Sequence, residues 1–262
     1  MIKIAVAGAA GKMGNRIAAL AGEFEGLKLA GAFERTGHPG LGKPVEGGVK
    51  LTDGIGSIID AVDLVIDFTT IESTKENLMA AASKGKAMVI GTTGFSADDL
   101  REMEPLMKKI PCVMASNMSL GVNLLLKVLQ DIARALGDDY DIEIVEAHHR
   151  LKKDAPSGTA LKMAQVIAAA VDRNLDEVGV YARHGLIGAR TKKEIGIQTV
   201  RAGDIVGEHT VYFGGLGERI EITHKASSRD TFARGALKAA LWLSGKPAGL
   251  YDMQDVLGLK GK

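Results

Sequence analysis

Two stretches of the chain carry residue types and spacings suited to chemistry. The first is Glu146-Ala147-His148-His149-Arg150-Leu151-Lys152-Lys153-Asp154-Ala155-Pro156-Ser157-Gly158-Thr159. From His148 to Lys153 every side chain but Leu151 is cationic or can become so. Pro156-Ser157-Gly158-Thr159 then reads as a helix start capped by Ser157, which adds unpaired N–H donors and the positive end of a helix dipole. In a chain of formal net charge +1, such a local cluster is suited to a carboxylate or phosphate. It also holds proton sources. A histidine titrates near neutral pH, and a lysine among like charges is expected to give up its proton more readily. The plainer alternative is a solvated basic loop with Ser157 merely capping a helix. In an extended strand His148 and His149 would point to opposite faces, so both serve one site only if the chain turns there.

The second stretch is Gly8-Ala9-Ala10-Gly11-Lys12-Met13-Gly14. Glycines between a strand and a helix permit a tight turn and let backbone N–H groups approach a pyrophosphate, which the helix N-terminus attracts. The GxxGxxG spacing is a variant of the dinucleotide fingerprint, and a plain strand–helix turn would also explain it. Context favours the nucleotide: Glu34 stands about 20 residues beyond Gly14, at the end of a second strand. A carboxylate there suits the ribose hydroxyls of NAD, and Arg35 suits the extra phosphate of NADP, so the pair fits either cofactor. Arg35 as an ordinary loop charge stays open. Asp67-Phe68-Thr69-Thr70 and Gly91-Thr92-Thr93-Gly94 also follow strands, where open α/β sheets bind ligands. For Thr69, turn chemistry is an equally good reading.

The elements that must position these stretches follow from hydrophobic periodicity. Apolar runs at 2–6, 27–33, 64–68, 87–90 and 112–115 read as strands, and amphipathic runs at 11–21, 74–83 and 97–108 as helices, with a short helix at 55–61. This alternation predicts an N-terminal Rossmann-like, doubly wound parallel sheet. After Asn117 the pattern changes to a helix at 120–136, a strand at 140–147, a helix at 159–171 and a β-rich region at 195–226. That is a C-terminal α+β domain with a mostly antiparallel or mixed sheet. A last helix at 230–243 can return to the first domain. We therefore expect residues 1–119 and 229–262 to form the dinucleotide-binding domain, and 120–228 the substrate-binding and oligomerisation domain, with a small anion held between them.

Bulk properties exclude other classes. The 33 Lys and Arg against 32 Asp and Glu leave no field to recruit nucleic acid or an acidic membrane. No apolar run approaches the roughly 20 residues of a membrane helix, the N-terminus lacks a secretory pattern, and the single cysteine, Cys112, fits a reducing compartment. A cytoplasmic protein is expected. None of the six histidines has metal-ligand spacing, and His38, His184, His209 and His224 read as structural, so no metal is expected.

The block EAHHRLKKDAPSGTA, together with VAGAAGKMG, DFTT, GTTGF, ASNMSLGVN, RAGDIVGEHTV, ITHKASSRDTFARGA and ALWL, resembles the 4-hydroxy-tetrahydrodipicolinate (dihydrodipicolinate) reductase family, in order and over nearly the whole chain. The resemblance implies NADH- or NADPH-dependent reduction of a cyclic imine dicarboxylate in diaminopimelate and lysine biosynthesis, by a homotetramer assembled through sheets of the second domain. It makes His148 the proton donor and acceptor and Lys152 a second donor. It assigns His149, Gly158 and Thr159 to the substrate carboxylates, and Gly8, Ala9, Ala10, Gly11, Lys12, Met13, Glu34, Arg35, Gly91, Thr92, Thr93, Ala115, Ser116, Asn117 and Met118 to the cofactor. One departure is that Met118 stands where the family commonly has Phe, which removes an aromatic contact near the cofactor. The rival readings are a reductase of another small dicarboxylate or amino-acid imine, such as an aspartate dehydrogenase, and a protein that senses NADH without turnover. Neither has reason to keep His148 and Lys152 in this block.

Overall fold

The apolar runs of the first half lack polar alternation because helices cover both faces of the sheet they build. A computed structural model describes residues 1–260. In chain order the elements begin β1 (Ile2–Ala7), α1 (Lys12–Leu20), β2 (Leu27–Glu34), β3 (Leu51–Asp53), β4 (Leu64–Asp67), α2 (Ile71–Ser83), β5 (Ala87–Ile90), α3 (Ala97–Met107) and β6 (Pro111–Met114). They continue with α4 (Leu120–Leu136), β7 (Asp141–His148), α5 (Gly158–Ala170), α6 (Leu175–Val178), β8 (Gly179–Val180), β9 (Ile195–Arg201), β10 (Gly207–Gly214) and β11 (Arg219–Ala226). The last are α7 (Asp230–Trp242), β12 (Gly249–Tyr251) and α8 (Met253–Val256). The chain divides between Leu120 and Gly121 and again between Ser228 and Arg229 into two compact units, the first made of both chain ends.

In the first unit a parallel sheet runs in the order β12-β6-β5-β4-β1-β2-β3. Ile4 and Val6 of β1 enter one buried cluster with Ile17, Ile66 and Leu237, while Ala5 and Ala7 enter another with Leu78, Met88 and Met103. Strand β1 is thus covered on both faces, as its sequence requires. The winding reverses beside β1, with β2 on one side and β4 on the other, which is where such sheets open a crevice. The run 55–61, expected as one short helix, forms two 3₁₀ turns, Ile55–Ser57 and Ile59–Ala61. Helix α2 starts earlier than its apolar pattern because Thr70 caps it through the Ser73 N–H.

The second unit carries a mixed sheet in the order β11-β10-β7-β9-β8. β10 is antiparallel to β7 and β11, whereas β7, β9 and β8 are parallel neighbours. Ile142 and Ile144 of β7, Ile195 and Ile197 of β9, and Val211 and Phe213 of β10 pack with Leu129 of α4 and Met163 and Ile167 of α5. Among the described residues no helix is long and apolar enough to cross a membrane.

Candidate active site

The alternation of β7 that buries Ile142 and Ile144 puts Glu146 and His148 on the same face. A carboxylate in that row must find partners, and Glu146, wholly buried, makes five bonds to four residues. His148 Nδ1 lies 2.6 Å from its Oε2. Arg201, the last residue of β9, donates from Nη1 to Oε2 and from Nη2 to Oε1, both at 2.8 Å. Oε1 also accepts from the Ser157 N–H at 2.9 Å and the Thr199 hydroxyl at 3.2 Å. Parallel pairing makes this possible, since Glu146 sits opposite Thr199 and His148 opposite Arg201. Burial pushes the Glu146 carboxyl up, but the bonds from His148, Arg201 and Ser157 outweigh it and hold the group well below the usual carboxylate range.

The chain turns at His149, as a shared role for the two histidines requires. Ala202 N–H donates to His148 O at 2.9 Å, Arg150 N–H to Gly203 O at 3.1 Å, and Lys152 N–H to His149 O at 3.1 Å. His149 Nδ1 is buried without a hydrogen-bond partner among the described residues. Lys152 differs from the expected group crowded by like charges, because its Nζ pairs with Asp154 Oδ1 at 2.9 Å. Burial pushes the Asp154 carboxyl up, and the Lys152 bond, a backbone hydrogen bond and the charges of Lys152 and Arg201 together more than reverse this. Arg201 Nη2 donates to Asp154 O at 2.6 Å, tying the loop to the sheet. Ser157 caps α5 as expected, its Oγ accepting from Ala160 N–H at 3.2 Å, and no acid occupies the first turn of that helix. Gly158 is exposed and Thr159 half-buried at that start.

His209, read from the sequence as structural, is part of this cluster. Its Nε2 lies 3.1 Å from Ser157 Oγ, and its ring meets that of His148 edge-on at 5.2 Å. Burial first, and then the neighbouring His148 charge, push it down to about 4, so it is neutral at pH 7. Gly207 is also functional in shape: a β-carbon there would stand 3.0 Å from His148 Nε2. Glu146, Arg201 and Gly207 carry no assigned role in the sequence, and His209 only a structural one. The usable signal was a Glu in the inward row of β7 and a His in the inward row His209, Val211, Phe213 of β10.

In the first unit the Gly-rich turn follows β1. Gly8 takes φ +64°, open to glycine, and Gly14 packs against the Gly8 carbonyl where a β-carbon would collide. Glu34 Oε1 accepts from Ala10 N–H at 3.1 Å. Gly11 caps α1 with no side chain across its amides, and no acid lies in the first turn. A bare helix start beside a positive-φ glycine, with a carboxylate at the next strand end, fits a dinucleotide: the amides suit its pyrophosphate and Glu34 its ribose. Lys12, Met13 and Arg35 flank this turn, whereas the Ala9 side chain is buried.

The turns after β4 and β5 are locked by Asp67, wholly buried. Its Oδ1 accepts from the Thr69 N–H at 3.0 Å and from the hydroxyls of Thr69 at 2.6 Å, Thr74 at 3.1 Å and Thr92 at 3.2 Å, while Oδ2 accepts from Asn77 Nδ2 at 2.7 Å. The Thr69 and Thr92 hydroxyls are therefore engaged in the turns themselves. Gly91 leaves room for the Phe68 ring, and Thr93 is exposed. After β6, Ala115 is half-buried and Ser116 exposed, and Asn117 Oδ1 accepts from Ser119 N–H at 2.8 Å. The Met118 side chain corrects the reading of a lost contact beside the cofactor. It is 1% exposed and belongs to the core with Ile4 and Leu237, so the Phe-to-Met departure is a change of packing. Among the described residues no group of three or more His, Cys, Asp or Glu is arranged to hold a metal ion.

The family description "Dihydrodipicolinate reductase, N-terminus" matches residues 2–118, and "Dihydrodipicolinate reductase, C-terminus" matches residues 121–257. The chain is 58% identical to the 4-hydroxy-tetrahydrodipicolinate reductase of Syntrophobacter fumaroxidans, covering 99% of this chain and 100% of that one. It is 54% identical to the enzyme of the same name from Syntrophus aciditrophicus, with the same coverage. Among solved structures it resembles a dipicolinate-bound dihydrodipicolinate reductase from Paenisporosarcina sp. TG-14, with a TM-score of 0.77 and 27% identity over 97% of this chain and 98% of that one.

Proposed function

The chain belongs to the dihydrodipicolinate reductase family, an oxidoreductase reducing 4-hydroxy-tetrahydrodipicolinate with NADH or NADPH in diaminopimelate and lysine biosynthesis, and on that premise we propose how its residues divide the work. Residues 1–119 with 229–262 hold the cofactor, through the Gly8–Met13 turn, Glu34, Arg35 and the turns at 91–93 and 115–118. Residues 120–228 hold the dianionic substrate at His149, Gly158 and Thr159, where the acid-free start of α5 and the surrounding cations favour carboxylates. When bound, NADH or NADPH supplies the hydride. His148 gives the proton that completes the reduction, and Lys152 stands behind it as a second donor. The observation that carries this reading is the 2.6 Å contact between His148 Nδ1 and a buried carboxylate, beside a helix start capped by Ser157 that has no acid in its first turn.

We further propose a cytoplasmic homotetramer assembled through the second unit's sheet. The buried lone thiol of Cys112 and the use of reduced nicotinamide support the location, and a sheet with helices on only one face supports the assembly.

The test is a coupled assay in which the preceding synthase condenses aspartate semialdehyde with pyruvate, and oxidation of NADH, then NADPH, is followed. Oxidation that needs both precursors and the synthase is expected, with similar rates for both cofactors if Glu34 and Arg35 serve them equally. His148→Gln is expected to lower turnover at least about a hundredfold, with little change in the Michaelis constant for NADH. Full turnover in that variant would remove His148 from the proton-donor role.

A further inference from the structure

Glu146 reaches both halves of the site at once. Oε2 meets the proton donor, and Oε1 meets the backbone N–H of Ser157, which opens the anion-binding turn. All other bonds to the carboxylate are donated to it, by Arg201 twice and by Thr199 once. A carboxylate so surrounded only accepts, so the atom of His148 that faces it must donate. We propose that Glu146, held by Arg201, is a positioning residue that fixes His148 in the Nδ1–H tautomer and leaves Nε2 as the atom that gives and regains the proton. This rests on the reading of His148 as the proton donor. Gly207 completes the arrangement, since any β-carbon there would crowd Nε2 at 3.0 Å. Arg201 holds both carboxylate oxygens and anchors the intervening loop through Asp154 O.

The substitution Glu146→Gln isolates the effect by chemistry. One end of a Gln side chain is an NH2 donor, and it cannot face Ser157, which offers only an N–H. The NH2 must turn toward His148, whose Nδ1 then has to accept, and the neutral ring is driven to the Nε2–H tautomer. Arg201 keeps carbonyl partners in this variant, Val200 O at 2.7 Å and Asp154 O at 2.6 Å, so the pair is not left bare.

The experiment uses the full chain labelled with 15N-histidine, the His148 signals being those absent from His148→Gln. In the parent, neutral His148 is expected to carry its proton on Nδ1. In Glu146→Gln the proton is expected to move to Nε2, turnover to fall about a hundredfold, and the Michaelis constant for NADH to stay the same. A parent protein with Nε2–H in the neutral ring overturns the proposal without recourse to any variant, so a Glu146→Gln protein that failed to fold would leave it decidable. A folded Glu146→Gln enzyme turning over within about threefold of the parent would overturn it too, on the general-acid scale used here. If instead His148→Gln keeps full turnover, the underlying reading fails, and the tautomer measurement still reports on Glu146 separately.

Discussion

His209 makes the acid side of this protein's stability a question about one residue. Its folded-state value of about 4 lies below the ordinary histidine value of 6.5, mainly through burial. As pH falls through 6.5 the unfolded chain takes up a proton that the folded chain refuses until about pH 4. Its contribution is therefore fully present above pH 6.5 and is lost between 6.5 and 4, amounting to about 2 kcal/mol at about pH 5. Glu146 is also held low, but its contribution is fully present above the ordinary carboxylate range and is lost only below it, so it changes little between pH 7.5 and 5. His224 is also lowered by burial and acts in the same window, which is why the comparison must be between parent and His209→Gln. Urea midpoints at pH 7.5 and 5 are expected to show the parent losing about 2 kcal/mol more than the variant. Equal losses would mean that His209 is not held neutral. The motif residues of this site were legible because they lie together in the chain. Their organiser was not, because Arg201 stands 55 positions beyond Glu146 and reaches it only through a parallel strand pairing that spacing does not reveal.

Helix α1 shows the same coupling at the level of an element. It can start directly after the Gly-rich turn only because residue 14 has no side chain. A β-carbon there would collide with the Gly8 carbonyl oxygen and stand 2.7 Å from its carbon and 2.8 Å from Ala9 Cα. These are backbone atoms of the turn itself, so relief moves the turn. Gly14→Ala is expected to cost about 1–3 kcal/mol of stability and to weaken NADH binding, measured by thermal melting and by fluorescence titration. Gly22→Ala, where a β-carbon would meet nothing, is the control and is expected to leave NADH binding unchanged. Equal NADH affinity in Gly14→Ala and the parent would show that the turn's geometry does not govern the cofactor. The parallel strands and their helices were readable from uninterrupted apolar runs separated by amphipathic ones. Strands β3 and β12 were not, because three residues at a sheet edge, Leu51-Thr52-Asp53 and Gly249-Leu250-Tyr251, carry no period.

For the whole molecule, the uncovered sheet face of the second unit is the feature that argues for assembly. Helices α4 and α5 pack on the row containing Ile144, Ile197 and Val211, while the opposite row presents Val145, Gln198, Val200, Thr210 and Tyr212. One end of that row is covered within the chain, where Arg183 and Arg190 bind Glu143 at 2.7 and 3.0 Å. The rest has no such cover among the described residues: Val200 is 43% exposed, and the buried Gln198 Nε2 lacks a hydrogen-bond partner among them. A buried donor without an acceptor costs about 1–3 kcal/mol, which a second copy can relieve. With a net charge of only +1, little long-range repulsion opposes that contact. Light scattering is expected to give four times the 27.6 kDa chain, and Val200→Glu, a charge placed on this face, is expected to lower that mass. A parent running as a single chain would remove the assembly proposal. The catalytic geometry would survive that result, because Glu146 makes its bonds to His148, Ser157 and Arg201 within one chain. Val200→Glu should therefore change the mass while leaving the His148 tautomer where Glu146 holds it.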